Sequence, residues 1–208
     1  MNSSTSSKLR LWEAALLLAF GLALTAGVWA SASESALAER VLRLHVVANS
    51  DSDLDQARKL LVRDTVLAQA GPLLDGVEGR REAEAALAPR LDELARAGEA
   101  ALARTGTPDR VSVTLADQWF PTKEYDGFSL PAGRYRALKV TIGEGRGRNW
   151  WCVVFPPLCA AASAEVPEAA LAAGLAPSQV GLITEEDSGY VLKSKLVEFW
   201  GELQAKLG

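Results

Sequence analysis

The sequence predicts an α+β fold, an antiparallel or mixed β-sheet with helices packed on it. Three observations carry this. An alternating apolar run opens the region after residue 40, and two zones of helical period follow it. Beyond Gly106-Thr107-Pro108 the period changes to two and recurs through three strands. Helices gathered ahead of a strand meander differ from the repeated βαβ order of a parallel fold.

Ahead of the fold lies a different kind of segment. A polar start with Lys8 and Arg10 leads into an apolar run over 14–30. Small residues then stand at signal-peptidase spacing, as Val28-Trp29-Ala30 or Ala30-Ser31-Ala32. Basic start, apolar centre and small-residue exit make a secretory signal. The run is 17 residues, the short end for a bilayer span, so an uncleaved anchor is the second form it can take. In either form the positive-inside rule puts everything after Ser31 outside the cytoplasm. The expected organisation is a signal peptide or membrane anchor at 1–32 and a single extracytoplasmic domain at 33–208. Without residues 1–30 the chain keeps 20 bases against 25 acids, a net charge of −5. Such a balance offers no electrostatic footprint for nucleic acid.

The first strand, "VLRLHVVA" (41–48), sets Leu42, Leu44, Val46 and Ala48 on one face. Its other face carries Arg43 and His45 and is expected to meet water in part. "NSDSD" (49–53) offers several N-caps, and Asp53 with Gln56 has capping-box spacing. A helix follows over 54–70 with Leu54, Ala57, Leu61 and Ala68 inward, ended by Gly71-Pro72. In a second helical zone, 79–104, Leu87, Leu91, Leu94, Ala95 and Leu102 share a face. Gly98 weakens it by about 1 kcal/mol relative to Ala. Pro89 either kinks this zone or sits in the first turn of the second of two abutting helices.

Val111, Val113 and Leu115 alternate with Ser112 and Thr114 as a half-buried strand. "FPTKEYDGFSLPAG" (120–133) reads as a turn-rich connection to a strand at 135–142, where Leu138, Val140 and Ile142 share a face. "GEGRGR" (143–148) reads as a glycine hairpin carrying two surface arginines. It feeds a buried strand, "WWCVVF" (150–155). The alanine-rich stretch 160–176 holds a short helix after Pro167. Leu192, Leu196, Phe199, Leu203 and Leu207 mark an amphipathic C-terminal helix packed on the sheet.

Each chemistry the glycine loop suggests lacks a partner. "GEGRGR" is neither G-x-G-x-x-G nor a P-loop, and a strand follows it where those motifs need a helix N-terminus. Thiol catalysis needs a base, and His45, the one histidine, lies in a strand about a hundred residues upstream. One histidine and two cysteines do not make a zinc set, and Asp51, Asp53 and Asp55 lack the glycine and distal Glu of a calcium loop. No cofactor or metal is expected. Cys152 and Cys159 flank Pro156-Pro157; a disulfide and a buried reduced pair both stand as readings.

Three stretches resemble the stage II sporulation protein R family of endospore-forming bacteria. They are "RLHVVANSDSDLDQARKLLVRD" (43–64), "WFPTKEYDGFSLPAGRYRALKVTIGEGRGRNWWCVVFPPLC" (119–159) and "KLVEFW" (195–200). The resemblance implies a messenger and not an enzyme, made in the forespore and exported to the space between the two sporangial membranes. There it would trigger a membrane-embedded aspartic protease of the mother cell, which processes the sigma-E precursor. Candidate contact residues are Asn49, Ser50 and Asp51 in one loop, Lys123 and Tyr125 in the 120–133 connection, and Glu144, Arg146, Arg148 and Asn149 in the glycine hairpin. The N-terminal segment would make the membrane contact. The competing expectation is an exported cell-wall hydrolase using His45 with Cys152 or Cys159.

Overall fold

A computed structural model describes residues 12–22, 25, 36–106, 108–125, 127–158, 166–172 and 174–184. The chain divides into two compact units, Met1–Ala36 and Leu37–Gly208. In the first, residues 12–22 are helical and display Trp12, Leu17 and Phe20 to the exterior. Among the described residues, no helix is long and apolar enough to cross a membrane.

The second unit is α+β. Its strands are β1 (Leu42–Val47), β2 (Val111–Phe120), β3 (Lys123–Tyr125), β4 (Phe128–Leu130), β5 (Gly133–Ile142) and β6 (Asn149–Phe155). Helices α1 (Asp53–Ala70), α2 (Arg80–Leu87) and α3 (Leu91–Ala103) lie between β1 and β2, and α4 (Val166–Ala172) and α5 (Pro177–Ile183) follow the strands. The main sheet runs β2-β5-β1-β6, with β1 parallel to β5 and antiparallel to β6. A mixed sheet results, with the first strand inserted between two later ones.

Burial on both faces explains why every residue of β1 is buried. Leu42, Leu44 and Val46 join Val113, Leu138 and Val140 against Val62, Val66, Leu94 and Leu102 of the helices. The opposite face packs Tyr135, Ala137 and Val153 against Phe128 and Leu130 of the β3–β4 pair and against Ala170, Val180 and Ile183 of the late helices. Arg43 and His45 lie on this second face and are buried, not water-facing as their polarity suggests. Hydrogen bonds to Tyr125 and the Cys152 carbonyl for Arg43, and to Gln118 and Asn149 for His45, replace the lost water.

Several expectations change at the helices. Ser52 is the N-cap of α1, accepting from the Asp55 N–H, so Asp53 is the first helical residue and not the cap. The inner side of α1 is Asp55, Lys59, Val62, Val66 and Ala70; Leu54 and Ala57 face outward. Two polar residues occupy the inner stripe at its amino-terminal end, which hides it from a hydrophobic period. Pro89 lies in a 3-10 turn, Ala88–Arg90, joining two separate helices. Gly98 faces inward, where an added Cβ would stand 3.2 Å from Val111 and 3.3 Å from Val62. Its missing side chain lets α3 approach both the sheet and α1. The C-terminal helix expected at 192–207 lies outside the described residues.

Candidate recognition site

The glycine segment is not a hairpin. β5 and β6 are not neighbours, because β1 lies between them, so residues 143–148 must cross over the end of β1. Crossing brings them onto the chain leaving β1, and the two segments interlock. The Arg146 N–H donates to Asn49 O (3.2 Å) and the Gly147 N–H to Ala48 O (2.9 Å). The Glu144 N–H donates to Asn49 Oδ1 (3.0 Å) and the Arg148 N–H to Asp51 Oδ1 (2.6 Å).

That closeness is what the glycines serve. Gly143 has φ of 54°, and a Cβ there would overlap the Asn49 side-chain amide. At Gly147 a Cβ would overlap the Ser50 carbonyl and stand 2.8 Å from the Ala48 Cβ. The glycines are explained by this close approach, to the Asn49 side chain at Gly143 and to the Ser50 backbone at Gly147, with no need for a phosphate.

Helix α1 supports the pair from beneath. Asp55 accepts from Ser50 Oγ (2.6 Å) and Asn49 Nδ2 (3.1 Å). These bonds, the one from Ser50 first, hold its carboxyl below the usual carboxylate range, and Arg58 adds to the effect. Gln56 Nε2 donates to Ser50 O (2.8 Å). Lys59, 5 % exposed, donates to Arg148 O (3.1 Å) and to Gln56 Oε1 (2.6 Å). Burial pulls its ammonium pKa below the ordinary lysine value. On the outer side, Arg146 pairs with Glu144 (3.1 Å) and Arg148 with Asp51 (3.7 Å), all four well exposed.

Seven of the nine expected contact residues therefore meet in one place: Asn49, Ser50, Asp51, Glu144, Arg146, Arg148 and Asn149. Lys123 and Tyr125 lie elsewhere, on β3 over the second face of the sheet. Tyr125 accepts from Arg43 Nη2 (2.8 Å) and donates to Trp151 O (3.1 Å). Arg43 lies between the rings of Phe120 (4.3 Å) and Tyr135 (4.9 Å), and its Nε donates to Cys152 O (3.0 Å). No carboxylate pairs with it among the described residues, and Nη1 has no hydrogen-bond partner there. From Arg43 to Asn49 the strand rise gives about 20 Å, which separates the two regions.

The thiol–imidazole arrangement does not form with Cys152. Its register partner on β1 is Leu44, so it points to the helix face, whereas His45 points to the other. His45 stacks on Trp151 at 3.9 Å, and its ring nitrogens meet Gln118 Oε1 (2.5 Å) and Asn149 Oδ1 (2.8 Å). Cys152 is disulfide-bonded; Cys159, the chain's other cysteine, lies outside the described residues.

Sequence reasoning missed Asp55, Lys59 and Gln56 as site residues, and Arg43 as a buried cation. A signal for the helix residues was present. Asp55 and Lys59 continue the Val62, Val66, Ala70 stripe at helical spacing, and polar residues in such a stripe need buried partners.

Fold and site together define an α+β domain in which seven of the nine candidate residues lie on two interlocked loops at the surface. The chain belongs to the stage II sporulation protein R family, whose model matches residues 38–165. It is 37% identical over 121 residues to the stage II sporulation protein R of Bacillus subtilis (strain 168). That match covers 58% of this chain and 54% of the relative, so it spans about half of the relative's length. No solved structure matches the chain.

Proposed function

We propose that this chain is an exported sporulation signal that activates a membrane-embedded aspartic protease of the mother cell, leading to processing of the sigma-E precursor. The observation that carries the reading is the joining of two loops, distant in sequence, into one exposed unit on a rigid sheet. Contact surfaces usually sit on loops held in this way. Family membership supplies the sporulation setting.

Activation works by docking. The two-loop unit meets the extracytoplasmic portion of the protease and favours its active, dimeric state. Docking shifts that equilibrium only as far as the unit binds the active state more tightly than the inactive one. Export from the forespore, by a cleaved signal or an N-terminal anchor in the membrane, delivers the domain to the space between the two membranes.

Co-expression with the protease and its sigma precursor tests the reading. Processing is expected only when this chain is present; equal processing with and without it refutes the proposal. Reversal of Arg146 and Arg148 to Glu should abolish activation in a folded protein. Unchanged activation by that variant would take the two-loop unit out of the interface.

A further inference from the structure

Asp55 and Lys59 stand on the inner side of α1, where helical spacing otherwise places aliphatic side chains. Both are buried, so neither reaches a docking partner. Their hydrogen bonds nevertheless go to the loops that do.

Asp55 fixes an amide orientation. By accepting from Asn49 Nδ2 it leaves Asn49 Oδ1 facing the other loop, where that oxygen accepts the Glu144 N–H. Lys59 grips the far end of the same loop through Arg148 O, and its second acceptor, Gln56, bonds the Ser50 carbonyl. Every prop on one loop is thus linked to the other.

A helix that needed only packing at position 59 would take Leu or Met, because burying an ammonium is costly. With Gly143 packed on the Asn49 side chain and Gly147 on the Ser50 backbone, neither loop can change shape alone. A loop pair ordered before docking avoids the entropy cost of ordering it on docking.

We infer that Asp55 and Lys59 are positioning residues that hold the Asn49 loop and the Gly143 loop in the single shape the partner reads, without touching the partner. The inference rests on the docking function proposed above and names what sets its affinity. Losing a prop lets the loops sample other shapes, and binding weakens in proportion to the fraction that stays competent.

The test pairs two measurements on the full chain. Hydrogen exchange follows the Glu144, Gly147 and Arg148 amides, and a dose–response curve follows precursor processing in the reconstituted system. Lys59→Met, which keeps the length and loses the donors, should speed exchange at Gly147 and Arg148. It should raise the half-maximal concentration about tenfold while maximal processing at saturation stays the same. Lys59→Arg, which keeps a donor, should recover most of the loss. If Lys59→Met fails to fold, Asp55→Asn replaces it, with faster exchange at Glu144 and the same shift expected.

A merely structural role predicts a lower maximum at an unchanged half-point, and that result overturns the inference. Faster exchange with an unchanged dose–response curve overturns it as well. If the wild-type chain drives no processing, the functional reading falls and this inference falls with it. A working wild type beside an indifferent Lys59→Met variant removes the inference alone.

Discussion

One strand, β1, serves two faces of opposite chemistry. Toward the helices it presents Leu42, Leu44 and Val46, which meet aliphatic side chains. Toward the other side it presents Arg43 and His45, which meet Phe120, Tyr135 and Trp151. Aliphatic packing has little directionality; residues of suitable volume and pattern fill it, and the free energy follows the apolar area buried. Arg43 is different, because its guanidinium must lie between two rings while it donates to Tyr125 and to the Cys152 carbonyl. The bond to Tyr125, with the one Tyr125 donates to Trp151 O, ties the β3–β4 pair to the main sheet. The helix face supplies bulk stability, and the aromatic face specifies where a small second sheet docks.

Truncating each face tests that division. Leu138→Ala, at a fully buried site, should cost about 3 kcal/mol through the cavity it leaves. Arg43→Ala should cost at least as much, about 3–4 kcal/mol, because lost packing adds to the loss of the bonds to the Tyr125 hydroxyl and the Cys152 carbonyl. Arg43→Met separates the two contributions. It restores much of the volume and removes a buried charge that no carboxylate pairs with among the described residues, so it should cost less than half as much as Arg43→Ala. Equal losses in urea unfolding would show that the directional bonds, and not packing, dominate this face. Tyr125→Phe comes next, at about 1–2 kcal/mol, from a half-buried hydroxyl withdrawn from Arg43 and from Trp151 O.

The faces should also separate by pH. Burial holds the His45 pKa below its ordinary 6.5, opposed by bonds to Asn149 and Gln118, with Lys139 on the neighbouring strand lowering it further. The unfolded chain takes up its proton near 6.5, while the folded chain does so only at lower pH. Stability should therefore fall as pH drops below about 6.5 and level off once the folded histidine also protonates. Asp55 acts in a separate window. Its folded carboxyl titrates below the ordinary 3.8, so its contribution persists above that value and is lost only as pH falls through the folded pKa. Unfolding curves across pH 4.5–7.5 should lose their slope in His45→Gln; a slope that survives would mean that another group causes it.

What the sequence disclosed divides along the same line. The aliphatic face was legible, since Leu44, Val113, Leu138 and Val140 alternate at period two and Leu87, Leu94 and Leu102 keep a helical period. Strand adjacency was not legible. A period identifies a strand without naming its neighbour, and the insertion of β1 between β5 and β6 turned an expected hairpin into a crossing loop. The β3–β4 pair was hidden because three-residue strands among Pro, Gly and Asp read as turn. On α1, the sequence displays an apolar stripe of Leu54, Ala57, Leu61 and Ala68, but the inner stripe runs through Asp55 and Lys59. Polar residues with a full set of partners are invisible to a hydrophobic period, and here they support the loops. The candidate contact residues were read as loops; that two of the loops form one unit required the topology.

The smallest expected effect concerns the rim of that unit. Glu144 and Arg146 form an exposed pair, 65% and 78% accessible, and such a pair contributes roughly 0–0.5 kcal/mol. Glu144→Ala should therefore leave the urea midpoint almost unmoved, because the bond that anchors position 144 to Asn49 comes from its backbone N–H, which alanine keeps. A midpoint shift approaching that of Tyr125→Phe would mean that the rim is part of the folded framework, no longer a surface free to exchange its partners. A silent midpoint with altered processing would place stability and recognition in different residues of one loop: backbone and glycines for the fold, side chains for the partner.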